Sequence, residues 1–245
     1  MVGDAKGIRQ AAIDLTQRAV ELLDIREHKG VHPFIGVVDV VPFVPLNGSK
    51  ISEAVEIAHE VGEKLWEKLK LPVYFYGEAA KIAERKELPY IRRGGYKALA
   101  NEIHEPHRVP DVGYGLHLTA GAAAVGARDF LIAFNVNLKT KDIDIAKSIA
   151  KNIREKDGGL PGVRALGMYL ETCGTAQVSV NITSHKMCSL QRVFDEIKMW
   201  AIEYNVEIID SELVGMIPEK LYSLNMKKQL RISNFSESLI LKEKI

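Results

Sequence analysis

The order of periodic segments after residue 129 constrains the fold more than any other feature of this sequence. "DFLIAFNVNL" reads as a strand at 129–138, and helical spacing follows at 141–155. Two strand-like runs, "VRALGMYLE" and "AQVSVNIT", flank a turn at Cys173 and Gly174; a helix is predicted over 189–204, and "VEIIDS" reads as a final strand. β-α-β-β-α-β is the split βαβ signature of a ferredoxin-like sandwich, in which two helices cover one face of one sheet.

The first half holds related pieces. Residues 4–25 place Ile8, Ala12, Leu15, Ala19, Leu22 and Leu23 at helical spacing. "SKISEAVEIAHEVGEKLWEKLK" repeats that pattern with Ser52 as its cap, and "LPVYFYG" reads as a strand bounded by Pro72 and Gly77. Residues 78–111 are irregular, broken by Pro89, Gly94, Gly95, Pro106 and Pro110, and connections this long often lie over sites. Glycines at 113, 115, 121 and 126 then lead into the second half, so a boundary is expected near Gly126, with subdomains at 1–126 and 127–245. The fold class expected is α/β (α+β): two similar ferredoxin-like α/β sandwich subdomains, the first lacking its opening strands.

Charge and hydropathy exclude several roles. Lys and Arg number 33 against 32 Asp and Glu, so no general field favours nucleic acid or an anionic membrane. The apolar runs "GVVDVVPFVPL" and "FLIAFNVNL" fall short of the roughly 18 residues that argue for a membrane helix. "MVGDAKGIRQ" lacks the apolar core of a signal peptide, and Cys173 and Cys188 follow neither CxxC nor zinc-finger spacing. A cytoplasmic protein with reduced thiols is expected, without nucleic-acid or membrane partners.

The stretch "REHKGVHPFIGVVDVVPF" carries the chemistry. His32 precedes Pro33, which biases the histidine backbone to an extended form, and a histidine can take and return a proton at neutral pH. Two readings stand: a catalytic group, or a loop histidine at the start of a strand. His28 lies across Gly30 and shares no helical face with His32, and without HExxH spacing no metal is expected. Asp39 interrupts an apolar strand, where it either faces a site or lies on an exposed strand face. The glycines at 113–126 fit neither GxGxxG nor GxxxxGK[ST], leaving a linker or a loop whose backbone lies close to a flat ligand. Phe194, Met199, Trp200 and Tyr204 read as core at helical spacing, and "MKKQLR" as a solvated face.

Ordered landmarks give these residues a common context. "HKGVHPFIGVVDVVPFVPL", "LPVYFYGEAA", "IRRGGYKAL", "GARDFLIAFNVNL", "AQVSVNIT" and "ELVGMIP" together resemble the glutamate formiminotransferase (glutamate formimidoyltransferase) family, which includes the transferase part of formiminotransferase-cyclodeaminase. The resemblance implies transfer of the formimino group from N-formimino-L-glutamate to tetrahydrofolate in histidine breakdown, in a homodimer with folate in a tunnel between two α/β subdomains. The family's catalytic histidine falls on His32. Its folate-binding segment falls on Gly113, Tyr114, Gly115, Leu116, His117, Leu118, Thr119, Ala120 and Gly121. Asp39 becomes the candidate for orienting His32 or balancing the amidinium charge, and Arg128 one of the candidates for a substrate carboxylate.

Three departures accompany the likeness. The family's opening strand, helix and second strand, with its "VPNFSEG" entry, have no counterpart here, so an open edge is expected on the first sheet and a separate chain supplying that segment becomes a candidate partner. Phe34 stands where the family has Arg, and Gly95 where it has Glu. Two alternatives on the same fold follow: 5-formyltetrahydrofolate cyclo-ligase activity, or a non-catalytic folate-binding subunit.

Overall fold

The computed structural model describes residues 1–46 and 48–242; Asn47 and residues 243–245 of the expected subdomains lie outside the described residues. Contacts divide the chain into two compact units, Met1–Arg128 and the residues from Asp129 onward.

The first unit opens with α1 (Ala5–Leu22), capped by Asp4, whose Oδ1 accepts the N–H of Gly7 at 2.7 Å. Its buried face is Ala12, Ile13 and Thr16, while Leu15 and Leu22 are exposed. The packed stripe is therefore rotated from the one that leucine spacing suggests. The strand expected after His32 starts late: β1 is Asp39–Phe43. It leads to α2 (Ile51–Leu69) and β2 (Val73–Gly77). Ser52 is already helical and is not the cap of α2. Lys50 holds that position, and its backbone N–H donates to Glu53 Oε2 at 2.8 Å.

The irregular stretch folds into a short 3₁₀ turn, α3 (Leu88–Ile91) and α4 (Gly95–Glu102), joined by left-handed Gly94 and Gly95. A strand then forms where the sequence suggests only glycine punctuation: β3 (Ala123–Ala127) lies between β1 and β2, parallel to both, with Ala123 opposite Asp39 and Val73. Helices α1 and α2 cover one face of this sheet over Phe43, Val73, Phe75 and Val125; α3 and α4 cover the other over Tyr74, Tyr76 and Ala124. A strand buried on both faces loses the in-out alternation that betrays half-buried strands. Here it also consists of Ala and Gly, with Gly126 against the Tyr76 ring. Along its other side, β1 has no paired strand among the described residues.

The second unit follows the sequence closely. Strand β4 (Ile132–Leu138), helix α5 (Ile143–Ile153), strands β5 (Val163–Leu170) and β6 (Thr175–Ile182), helix α6 (Leu190–Glu203) and strand β7 (Ile208–Val214) form an antiparallel sheet in the order β5-β6-β4-β7. One sheet face, with Phe134, Val136, Val178 and Val180, forms the core with α5 and α6, to which Phe194 contributes and against which Trp200 packs; Met199 is exposed. The opposite face carries a polar row. Gln177 Nε2 donates to Asn137 Oδ1 at 2.8 Å and Glu212 Oε1 at 2.9 Å, and Asn137 Nδ2 donates to Asp210 Oδ1 at 2.7 Å. The short parallel pair β8 (Ile217–Pro218) and β9 (Ile240–Leu241) brackets α7 (Met226–Gln229). "MKKQLR" is more than a solvated face, because Met226 and Leu230 are buried in the core.

Together the two units give the α/β two-subdomain fold. No helix among the described residues is long and apolar enough to cross a membrane.

Candidate active site

The segment from His32 to Asp39 is tied to the glycine-rich stretch by backbone hydrogen bonds. Val37 N–H donates to Ala120 O at 3.0 Å, Ala122 N–H to Ile35 O at 3.0 Å, and Ile25 N–H to Thr119 O at 2.8 Å. Such close approach requires glycine. At Gly36 a Cβ would run into the Ala122 carbonyl, and at Gly121, with φ at +72°, into the Ile35 carbonyl. The first unit thus places the expected catalytic histidine and the expected folate segment on adjoining backbone.

His32 itself is exposed. Partial desolvation of its ring, and then the positive charge of Arg92, hold its pKa below the usual 6.5. Both effects favour the neutral imidazole, which is the proton-accepting form. His28 packs edge-on against Phe34 with ring centroids 4.5 Å apart.

Asp39 is held in the left-handed region, with φ at +61°. Its Oδ1 accepts the N–H of Ile35 at 2.9 Å and its Oδ2 accepts Arg92 Nη2. The carboxylate therefore anchors the turn into β1 and a guanidinium, and neither oxygen bonds to His32 among the described residues. Arg92 reaches it from the C-terminal end of α3, where Gly95 N–H donates to Arg92 O at 2.8 Å and the glycine pair turns the chain into α4.

In the glycine segment, His117 and Gly121 exchange backbone hydrogen bonds of 2.9 and 3.0 Å, closing a small hairpin. His117 Nδ1 accepts the N–H groups of Thr119 and Ala120 at 3.3 and 3.1 Å, which puts the proton of the neutral ring on Nε2. Gly113, with φ at +83°, lies against the Trp66 ring, which also packs edge-on with Tyr114 at 4.9 Å. Leu116 packs on the α3–α4 side of the sheet. Tyr114 and Leu118 remain 78% and 74% exposed, and no atom lies within 4 Å of where a Gly115 Cβ would sit. A hydrogen-bonded turn presenting one aromatic ring, one aliphatic side chain and open backbone is suited to a planar ligand.

Arg92 and Trp66 escaped the sequence reading. Arg92 pairs with a carboxylate 53 positions away, a separation that no local pattern reveals. The signal available was the "RRGG" run, where paired cations meet glycines that force a turn. Arg128 N–H donates to Phe43 O at 3.1 Å, fixing its backbone beside the end of β1. Among the described residues, no cluster of three or more His, Cys, Asp or Glu is arranged to hold a metal ion.

Comparison with known proteins places the chain in a family. Residues 1–128 match the model of the formiminotransferase domain, N-terminal subdomain, and residues 133–240 that of the formiminotransferase domain. A glutamate formimidoyltransferase of Thermoplasma acidophilum is 38% identical over 246 residues, covering 100% of this chain and 81% of the relative. One from Streptococcus pyogenes serotype M1 is 40% identical, covering 96% of this chain and 79% of the relative. The formimidoyltransferase-cyclodeaminase of Rattus norvegicus is 40% identical over 89% of this chain and 42% of its own length. With both subdomain models matched in order along one polypeptide, the chain belongs to the formiminotransferase family.

Proposed function

We propose that the protein transfers the formimino group of N-formimino-L-glutamate to N5 of tetrahydrofolate, releasing glutamate, as a step of histidine degradation. The observation that carries this reading is His32. Its imidazole is solvent-accessible, biased towards its neutral form, and carried on a segment hydrogen-bonded to the glycine stretch, in a chain whose relatives are named glutamate formimidoyltransferase.

The donor carbon belongs to an amidinium, and N5 of the reduced pterin attacks it. The tetrahedral intermediate then holds three nitrogens on one carbon. Neutral His32 takes the proton from N5 and returns it to the glutamate nitrogen, so that the bond from carbon to that nitrogen breaks and the formimino group stays on N5. General acid–base catalysis of this kind contributes about 10² to 10⁴ in rate. Residues Gly113 to Gly121 hold the folate, with Tyr114 and Leu118 offering apolar surface and Gly115 open backbone. Asp39 supports the site through Arg92, by fixing the guanidinium near His32. Tetrahydrofolate acts as co-substrate, and the working unit is a cytoplasmic homodimer.

The test supplies formiminoglutamate and tetrahydrofolate and follows 5-formiminotetrahydrofolate. Turnover supports the reading. Turnover only of 5-formyltetrahydrofolate with ATP, or folate binding without turnover, would replace it with a cyclo-ligase or a non-catalytic subunit; turnover only after adding a chain that carries the family's opening strands would make that chain an obligate partner.

A further inference from the structure

Arg108 is 2% exposed, an unusual position for a guanidinium, since a buried charge must be fully paired to be tolerated. Its pairing is concentrated on one short stretch of backbone. Nη1 donates to the carbonyls of Ile91 at 3.2 Å and Tyr90 at 3.4 Å, Nη2 to that of Arg93 at 2.5 Å, and Nε to Glu102 Oε2 at 2.8 Å. Carbonyls at the end of a helix have no partner within it, and Arg108 supplies one on each side of Arg92. The backbone of Arg108 is held in turn, because Tyr74 Oη donates to its carbonyl at 2.5 Å.

Arg92 is thereby held at both ends: its peptide by Arg108, its guanidinium by Asp39. We propose that Arg108 is a positioning residue for the proton shuttle, fixing the Arg92 guanidinium on Asp39, whose other oxygen accepts the Ile35 N–H of the His-Pro segment. This rests on the formimino-transfer reading for its consequence on rate, though not for its effect on the histidine. A plain apolar residue at 108 would fill the space but take the side-chain donor from the Ile91 and Arg93 carbonyls that flank Arg92, while Tyr90 O keeps the Arg93 N–H. A lysine would keep the charge but lacks the planar fork that reaches several acceptors at once.

The charged and titratable residues just ahead of His32 in the chain are His28 and Lys29; from the end of α3 comes Arg92, paired with Asp39 at the start of β1. Of these, Arg92 is the one whose charge acts on the ring.

The test is an NMR titration of the His32 imidazole in the full chain, with wild type, Arg92→Gln and Arg108→Lys, alongside thermal melts. Arg92→Gln removes the charge and raises the midpoint. Arg108→Lys is expected to raise it in the same direction while the protein remains folded, and to lower kcat at pH 7 about tenfold, part of the range for general acid–base catalysis. Should Arg108→Lys not fold, Glu102→Gln loosens the same anchor from its exposed side, and a smaller upward shift is expected. A folded Arg108→Lys or Glu102→Gln with the wild-type midpoint overturns the proposal, as does a wild-type midpoint in Arg92→Gln. Absence of formimino transfer by the wild type would defeat the functional reading alone, since the titration is read without substrate.

Discussion

Asp39 and Arg92 form an ion pair across the turn into the first sheet: Asp39 Oδ2 accepts Arg92 Nη2, while the other carboxylate oxygen accepts the Ile35 N–H at 2.9 Å. One side chain thus ties three elements, the His-Pro segment, the start of β1 and the end of α3. Asp39→Asn keeps an acceptor for Ile35 but removes the charge that fixes Arg92. A fall in kcat of about tenfold with little loss of stability is expected, read from kinetics and melting curves. Asp39→Val also loses the Ile35 acceptor and places a β-branched residue at a positive φ, so it should melt earlier by an equivalent of about 2 to 4 kcal/mol.

The pH dependence follows from His32. Its folded pKa lies below 6.5, so between that value and 6.5 the unfolded chain binds more protons than the native one. This group's contribution to stability is therefore complete above 6.5 and declines as pH falls through that window. The acid limb of kcat/KM, which reports the free enzyme, should likewise fall below 6.5, and in Arg92→Gln it should move up. A pH–rate series on both proteins measures this.

Two glycines of the proposed folate segment separate contact from scaffold. Gly121→Ala puts a Cβ against the Ile35 carbonyl at a positive φ, so it should cost stability by about 2 kcal/mol or more and detach the hairpin. Gly115 has φ at +66° but open space around it, so Gly115→Ala carries only the conformational cost of about 1 kcal/mol. If the pterin lies against this backbone, the KM for tetrahydrofolate rises in Gly115→Ala out of proportion to the change in melting temperature. An unchanged KM would move the folate elsewhere.

The second unit was legible because its sheet has one strongly apolar face: Ile132, Phe134, Val136 and Leu138 alternate with Ala133, Asn135 and Asn137, and Ala176, Val178, Val180 and Ile182 with Gln177, Ser179 and Asn181. The first unit hid its central strand for the opposite reason. With helices on both faces, Ala123–Ala127 shows no alternation, and its small residues read as a flexible connection. A His-Pro step and spaced glycines are local patterns that put His32 and residues 113–121 forward as candidates, while their expected roles come from the family resemblance. Arg92 and Arg108 could not be picked out in this way, because their roles depend on acceptors brought near by folding.

The buried pair of Arg85 and Asp111 gives a structural prediction apart from the chemistry. Arg85 Nη1 meets Asp111 Oδ1 at 2.7 Å, both side chains nearly inaccessible, and Asp111 Oδ2 accepts the Phe75 N–H at 2.7 Å. Arg85 also lies over the Tyr74 ring, whose phenol is pushed up by burial. Arg85→Ala strands a buried carboxylate and should destabilise the protein by about 3 to 5 kcal/mol, measured by urea unfolding.

In the proposed transfer, His32 moves the proton between N5 and the departing glutamate nitrogen. The direct measurement is the rate of 5-formiminotetrahydrofolate formation by wild type and His32→Ala, with the fold of each checked by melting. An exposed side chain can be removed without unfolding the protein, and a loss of about 10² to 10⁴ in kcat at unchanged melting temperature is expected. A folded His32→Ala that transfers the formimino group at the wild-type rate would contradict this role of the histidine.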